Sequence, residues 1–278
     1  IPGEVLTAII NGTQQFFNIL KTQGVNIEYL GGETADVGDV VRTIAVNGTM
    51  MARWKKTDII TNDKIAPGQV IVGFASSGKA TYETSYNSGL GSNGLTSARH
   101  DVLSKIYAKK FPETFERSLN PDVVYIGKYG MQDAITVGQE KIPMGKLLLS
   151  PTRTYAPLMK QLLENHFHDI FGVIHCSGGG QTKCMKYLPQ PLRIIKDNLL
   201  PVPPIFKIIQ ECSGADDKEM YQVFNMGHRL EIFTHAAAAP AMIQAAAELG
   251  IEAQIIGRVE ESPTKELHIL TQKGSITY

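Results

Sequence analysis

The chain has 278 residues, 43% of them hydrophobic and 19% charged, which is enough apolar material for one large domain or two smaller ones. Lys plus Arg and Asp plus Glu are equal at 27 each, so the basic surplus expected of a nucleic-acid binder is missing. No apolar run is long enough to span a bilayer, and Cys176, Cys184 and Cys212 form no CxxC pair, so the expectation is a reducing, cytoplasmic setting with neither nucleic acid nor membrane as partner. The chain opens Ile1-Pro2-Gly3 without an initiator Met, as a fragment of something longer would.

In chain order, residues 3–21 predict an amphipathic helix, with Val5, Ile9, Phe16 and Leu20 near helical spacing and Gly24 as its stop. Val25 to Leu30 predicts a strand ending in Gly31-Gly32, and the Val-, Ile- and Thr-bearing stretch from Val40 to Trp54 predicts more strand. Residues 55–68, charged and closed by Pro67-Gly68, look like a connector between domains. Gln69 to Ala75 is a compact strand of the buried type, and 79–91 is a polar extended loop. Helices are expected from about Ser92-Asn93-Gly94 and after Pro151, then a strand over 169–176 running into Gly178-Gly179-Gly180. Helices follow after Pro203-Pro204, around Met220 and over 237–249. Strands are expected near 230–234, 253–259, 267–272 and 275–278. This pattern predicts a mixed α+β sheet with helices on one face.

Three glycine-rich turns follow apolar strands: Gly31-Gly32-Glu33-Thr34, Ser76-Ser77-Gly78 with Ser92-Asn93-Gly94, and Ser177-Gly178-Gly179-Gly180. Glycine removes the side chain, so backbone N–H groups can converge on an anion, and a helix N-terminus adds donors and partial positive charge. Each turn alone is more often a simple tight turn; three together favour phosphate. Glu33 is a candidate Mg²⁺ ligand, whereas Asp36 and Asp39 read as turn caps. Arg153 has the fork geometry for phosphate but equally suits a structural ion pair. His175, at a strand end, can donate to a phosphate or move a proton near neutral pH.

Taken in order, Gly31-Gly32-Glu33-Thr34-Ala35, Ser-Ser-Gly with Ser-Asn-Gly, Pro151-Thr152-Arg153-Thr154-Tyr155, His175 with its triple glycine, and Phe224-Asn225-Met226-Gly227 resemble the aminoimidazole ribonucleotide synthetase family, the phosphoribosylformylglycinamidine cyclo-ligases. The resemblance runs over essentially the whole chain. It implies residues 1–62 as the C-terminal part of an ATP-binding domain whose strands form a barrel across a homodimer, and 63–278 as an α/β domain that binds substrate phosphate. It also implies an ATP-dependent ligase of purine biosynthesis that uses Mg²⁺. By match of motif, Gly31, Gly32, Glu33 and Thr34 lie on the nucleotide side with Glu33 on the metal. Ser76, Ser77, Gly78, Ser92, Asn93, Gly94, Arg153, Gly178, Gly179 and Gly180 cradle substrate phosphate, and His175 and Glu33 are the catalytic candidates. Other enzymes of the superfamily, and a non-catalytic ligand-binding paralogue, are the alternatives. The chain departs from the family pattern in four ways: the family's N-terminal segment with its own Gly-, Lys- and Asp-rich ATP elements is not in this sequence; residues 79–91 split the two serine turns, as a lid or as a surface insertion; Gly91 stands where a histidine usually precedes Ser-Asn-Gly; and Val37-Gly38 replace the usual Met-Pro after Glu-Thr-Ala, while His228-Arg229 follow Phe-Asn-Met-Gly where small or apolar residues are usual.

Overall fold

The computed structural model describes every residue except Asp36 and Arg42, so the expected turn cap at Asp36 lies outside the described residues. The chain begins with helix α1 (Gly3–Thr22). Leu20 is buried and Gly24 abuts the Lys160 side chain, which ties the end of α1 to the rest of the molecule. Neither strand expected between residues 25 and 54 forms among the described residues. Leu30, Val40, Val46, Met50, Met51 and Trp54 all stand in solvent. A strand needs a neighbour for its N–H and C=O groups, and this segment has none among the described residues.

Two single 3₁₀ turns, Lys56–Asp58 and Asn62–Lys64, lead into the sheet. The strands of the sheet are β1 (Val70–Ala75), β4 (Gly172–His175), β5 (Leu192–Lys196), β6 (His228–Thr234), β7 (Ala253–Glu261), β8 (Glu266–Thr271) and β9 (Gly274–Thr277). A separate hairpin joins β2 (Ala134–Val137) to β3 (Glu140–Pro143). The helices are α2 (Leu95–Val102), α3 (Ile106–Lys110), α4 (Met144–Leu148), α5 (Ala156–His166), α6 (Lys183–Lys186), α7 (Pro204–Ser213), α8 (Asp217–Val223) and α9 (Ala239–Glu248).

Among the described residues the sheet has seven strands in the order β4-β6-β1-β7-β5-β8-β9. It is antiparallel except for the parallel β5–β8 pair. It is therefore the mixed sheet that the sequence predicts, but helices cover both of its faces. The alternation along β1 explains why. Val72 and Phe74 point to a core shared with Leu158 and Leu162 of α5 and Met242 and Ala246 of α9. Ile71 points the other way, into a core with Ala98 and Val102 of α2 and Phe206 and Ile209 of α7. A central strand with apolar residues at both parities has to be covered twice. Burial at this scale, about 25 cal/mol per Å² of apolar surface, supplies the main stabilising term.

Residues 79–91 are neither a lid nor a surface insertion. Leu90 is fully buried in the larger core, and Ala80, Asn87, Ser88 and Gly89 are buried as well. The segment is pinned by a backbone bridge between Gly78 and Asn87 and by Ser88 Oγ, which donates to the Leu147 carbonyl at 2.7 Å.

Candidate functional site

Five loops gather at the end of the sheet where β1 and β4 finish and β6 begins. The organiser is Asn225. Its Oδ1 accepts from Ser76 Oγ at 2.7 Å and from the Gly227 amide at 3.1 Å, while its Nδ2 donates to the Gly89 carbonyl at 2.9 Å. One buried amide thus joins the Ser-Ser-Gly turn, the segment before Ser-Asn-Gly, and its own Phe-Asn-Met-Gly turn. Asn93 makes the next join, its Nδ2 donating to the carbonyls of Ser177 and Val223, both at 3.1 Å. Thr152 Oγ1 accepts from the Ser92 amide at 3.1 Å, which adds the Pro-Thr-Arg-Thr-Tyr loop.

Below the triple glycine lies a buried polar network. Gln181 donates to the carbonyls of Asn225 and His228 and accepts from the Lys196 ammonium, which in turn pairs with Glu231. His228 Nε2 lies 2.9 Å from the same Glu231 oxygen. Burial alone would raise the Glu231 pKa, but the Lys196 charge and the His228 contact outweigh it and hold the carboxyl at about 2. His228 is pushed down, chiefly by burial. The linked bonds from Gln181, Lys196 and His228 fix the floor of the turn, although the second Glu231 oxygen, Oε2, is buried without a hydrogen-bond partner among the described residues.

The Ser-Asn-Gly and triple-glycine turns touch, and both present open donors. The backbone N–H groups of Asn93, Gly94, Gly178 and Gly179 have no protein acceptor among the described residues. Gly178 and Gly179 are exposed, as is Ser92. Gly94 is left-handed at φ +74° and opens α2, whose first turn adds further unpaired amides. Clustered unpaired amides beside a helix start form an anion-binding concavity.

Several residues expected in the cradle lie out of reach of a ligand. Ser76 is fully buried on Asn225, and Gly180 is buried at φ +49°. Arg153 realises the structural alternative. Its Nε and Nη2 grip the Glu83 carboxylate at 2.9 and 2.7 Å, its Nη1 donates to the carbonyls of Ala75 and Ser77, and its side chain is wholly enclosed. Ser77 and Gly78 remain partly open at the rim. His175 is exposed at the strand end, and its pKa is pushed down to about 4 by crowding and then by the Arg229 and Lys183 charges. It is a neutral imidazole at pH 7, able to accept a proton or to donate from one nitrogen.

Gly31, Gly32, Glu33 and Thr34 are exposed, with no hydrogen bond to this cluster or to any other residue among those described. Among those residues no group of three or more His, Cys, Asp or Glu comes together to hold a metal ion. Among the described residues Glu33 is a single exposed carboxylate, and Mg²⁺ takes few carboxylates together with phosphate oxygens and water. Two surface recesses lie elsewhere, one around Pro67 and Gln190, the other behind α2 around Arg99 and Tyr125. Sequence reasoning missed Asn225 as the organiser and Lys183 beside the triple glycine. The order of motifs pointed to the first, and no local signal pointed to the second.

The glycine turns with their unpaired amides thus gather at one end of the sheet of an α/β domain. Residues 66–269 match the model of the AIR synthase related protein, C-terminal domain, and the chain belongs to that family. A phosphoribosylformylglycinamidine cyclo-ligase of Methanocaldococcus jannaschii is 34% identical over 253 residues, which is 91% of this chain and 62% of that protein. A cyclo-ligase of Bacillus cereus is 29% identical over 82% of this chain and 57% of its own length. The chain thus spans about 60% of the length of the curated relatives it matches. A hydrogenase maturation protein HypE superposes over 78% of this chain and 54% of its own at 15% identity, with a TM-score of 0.43 that is too low to carry an argument.

Proposed function

We propose that this chain is the substrate-phosphate part of an ATP-dependent phosphoribosylformylglycinamidine cyclo-ligase. The observation that carries the reading is the contact between the Ser-Asn-Gly and triple-glycine turns, with four unpaired amides between them. Family membership and the names of the relatives support it.

In this reading formylglycinamidine ribonucleotide and ATP give aminoimidazole ribonucleotide, ADP and phosphate. The formyl oxygen attacks the γ-phosphorus and ADP leaves. The amidine nitrogen then attacks the activated carbon, the ring closes, and the C–O bond to phosphate breaks with loss of a proton. The chain's task is to hold the 5′-phosphate and so orient the reacting half. Asn93, Gly94, Gly178 and Gly179 offer amides, and Ser77 and Ser92 offer hydroxyls at the rim. His175, neutral at pH 7, is placed to accept a proton as the amidine nitrogen attacks. Ser76, Asn225 and Arg153 hold the turns without touching substrate. Gly31, Gly32, Glu33 and Thr34 remain the candidate nucleotide edge, and residues 1–62 the candidate dimer-forming part, with 63–278 as the phosphate-binding domain. No step is assigned to Mg²⁺ on this chain, and the cytoplasmic homodimer belongs to the same proposal. The test is direct: the full-length protein with Mg-ATP and formylglycinamidine ribonucleotide should release aminoimidazole ribonucleotide and one ADP per ring closed. ATP turnover without ring closure would sink the assignment.

A further inference from the structure

With Arg153 enclosed by Glu83, the cradle loses the cation that the sequence offered it, and a dianion held by amides alone would lack a counter-charge. Two other cations stand close by, and neither has a carboxylate. Arg229 is almost wholly buried; its Nη2 donates to the carbonyls of Gly89 and Leu90, both at 2.7 Å, and its Nε has no acceptor. Among the described residues it makes no ion pair, so its charge sits behind the Ser-Asn-Gly segment without compensation. Gly91 leaves room for it: a Cβ there would come within 2.7 Å of Arg229 Nη2.

Lys183 opens α6, three residues after the triple glycine. Its Nζ donates to Ser177 Oγ at 3.0 Å and meets no carboxylate among the described residues. The carbonyl of that same Ser177 receives the Asn93 bond, so Lys183 stands over the junction of the two turns. An ammonium has three protons to give, and here one protein acceptor takes one of them. A buried cation with carbonyl acceptors but no carboxylate among the described residues and a second, half-buried one beside four unpaired amides form an electrostatic hollow that an anion would fill.

We propose that Lys183 is the cation that contacts the bound phosphate monoester, with Arg229 as fixed positive charge behind the turn. The inference rests on the phosphate-site reading above and adds to it a residue outside the motifs that carry the resemblance. Arg229 acts through the turn it holds and is a positioning residue. Lys183 reaches the ligand itself.

The test is calorimetric titration of the chain with ribose 5-phosphate, alongside Lys183→Gln, Lys183→Arg and Gly178→Ala. The expected result is a loss of affinity of about tenfold or more in Lys183→Gln, the size of one charge-assisted hydrogen bond, and retention within a few-fold in Lys183→Arg. Raising the salt concentration should narrow the gap between the unaltered chain and Lys183→Gln, because only a charge contact is screened. If Lys183→Gln binds as the unaltered chain does while Gly178→Ala loses binding, the lysine assignment is overturned and the phosphate site stands. If the unaltered chain takes up no ribose 5-phosphate, both fall. Thermal melts of each variant separate lost binding from lost folding.

Discussion

Arg153 and Glu83, separated by 70 residues, are locked in a two-bond fork with Nε–Oε1 at 2.9 Å and Nη2–Oε2 at 2.7 Å. Glu83 also accepts from the Ala80 amide and from Asn87 Nδ2, so the pair fastens residues 80–87 to the loop before α5. Replacing Glu83 by Gln leaves an enclosed guanidinium without its counter-charge. The expected loss is about 3 kcal/mol, read as a lower urea midpoint. Affinity for ribose 5-phosphate, measured where the variant is still folded, should change by less than about twofold, because neither residue reaches the open amides. A large affinity loss without a stability loss would return Arg153 to the ligand.

Two glycines of the same turn should separate structure from binding. At Gly180 the backbone is left-handed, and a Cβ would lie 2.6 Å from the carbonyl oxygens of Phe224 and Tyr221. Gly180→Ala should destabilise by about 3 kcal/mol through strain and forced movement. At Gly178 the nearest atom to a Cβ is Asn93 Oδ1 at 3.7 Å, and no left-handed backbone is required. Gly178→Ala should leave stability within about 0.5 kcal/mol while crowding the amides that face the ligand. Paired melting and titration curves check both halves.

Acid should act in two stages. His175 has a folded pKa of about 4 against 6.5 for a free imidazole, so between those values the unfolded chain binds more protons. Its contribution to stability is complete above pH 6.5 and is lost as pH falls toward 4. His228, also pushed down, acts in the same direction. Glu231, held at about 2 against 4.5, contributes stability above pH 4.5 that is lost as pH falls toward 2. Melting temperature should therefore fall in a first stage below pH 6.5 and in a second below 4.5, and His175→Gln should shallow the first alone. An unchanged first stage in that variant would mean that the ring is not held neutral.

Thiol chemistry should distinguish the three cysteines. Cys176 and Cys184 are buried, and burial is the main cause of their raised pKa values; that of Cys184 is about 11. Cys212 is half-exposed. In the native protein at pH 8 an aromatic disulfide reagent should label Cys212 alone, with the other two appearing on unfolding. Mass mapping of early labelling at Cys176 would contradict the packing beneath the triple glycine.

Local pattern made much of the fold legible. Val70–Ala75 and the alanine-rich α9 carry their burial in their own sequence, and the turns announced themselves by glycine. What escaped depended on partners far along the chain. Leu192–Lys196 did not read as a strand because its terminal lysine is tolerable in a core only when Glu231 meets it. Arg153 could not be assigned without Glu83. The stretch from Val40 to Trp54 has strand composition but finds no strand to pair with among the described residues, and β propensity does not supply a partner. At the site, the order of motifs placed the turns. Which of their residues face a ligand followed only from Asn225 and the buried network.

The bond from Ser76 Oγ to Asn225 Oδ1 joins residues 149 positions apart. During synthesis the Ser-Ser-Gly and Ser-Asn-Gly turns leave the ribosome long before the asparagine that fastens them, and β6, which pairs with β1, is made just after it. The nascent chain therefore carries the pieces of its cradle unassembled through most of translation, and the cradle closes in a late event that also completes the middle of the sheet. A chain stopped between residues 181 and 224 would keep several helices and the serine and triple-glycine turns, yet lack the asparagine that fastens them.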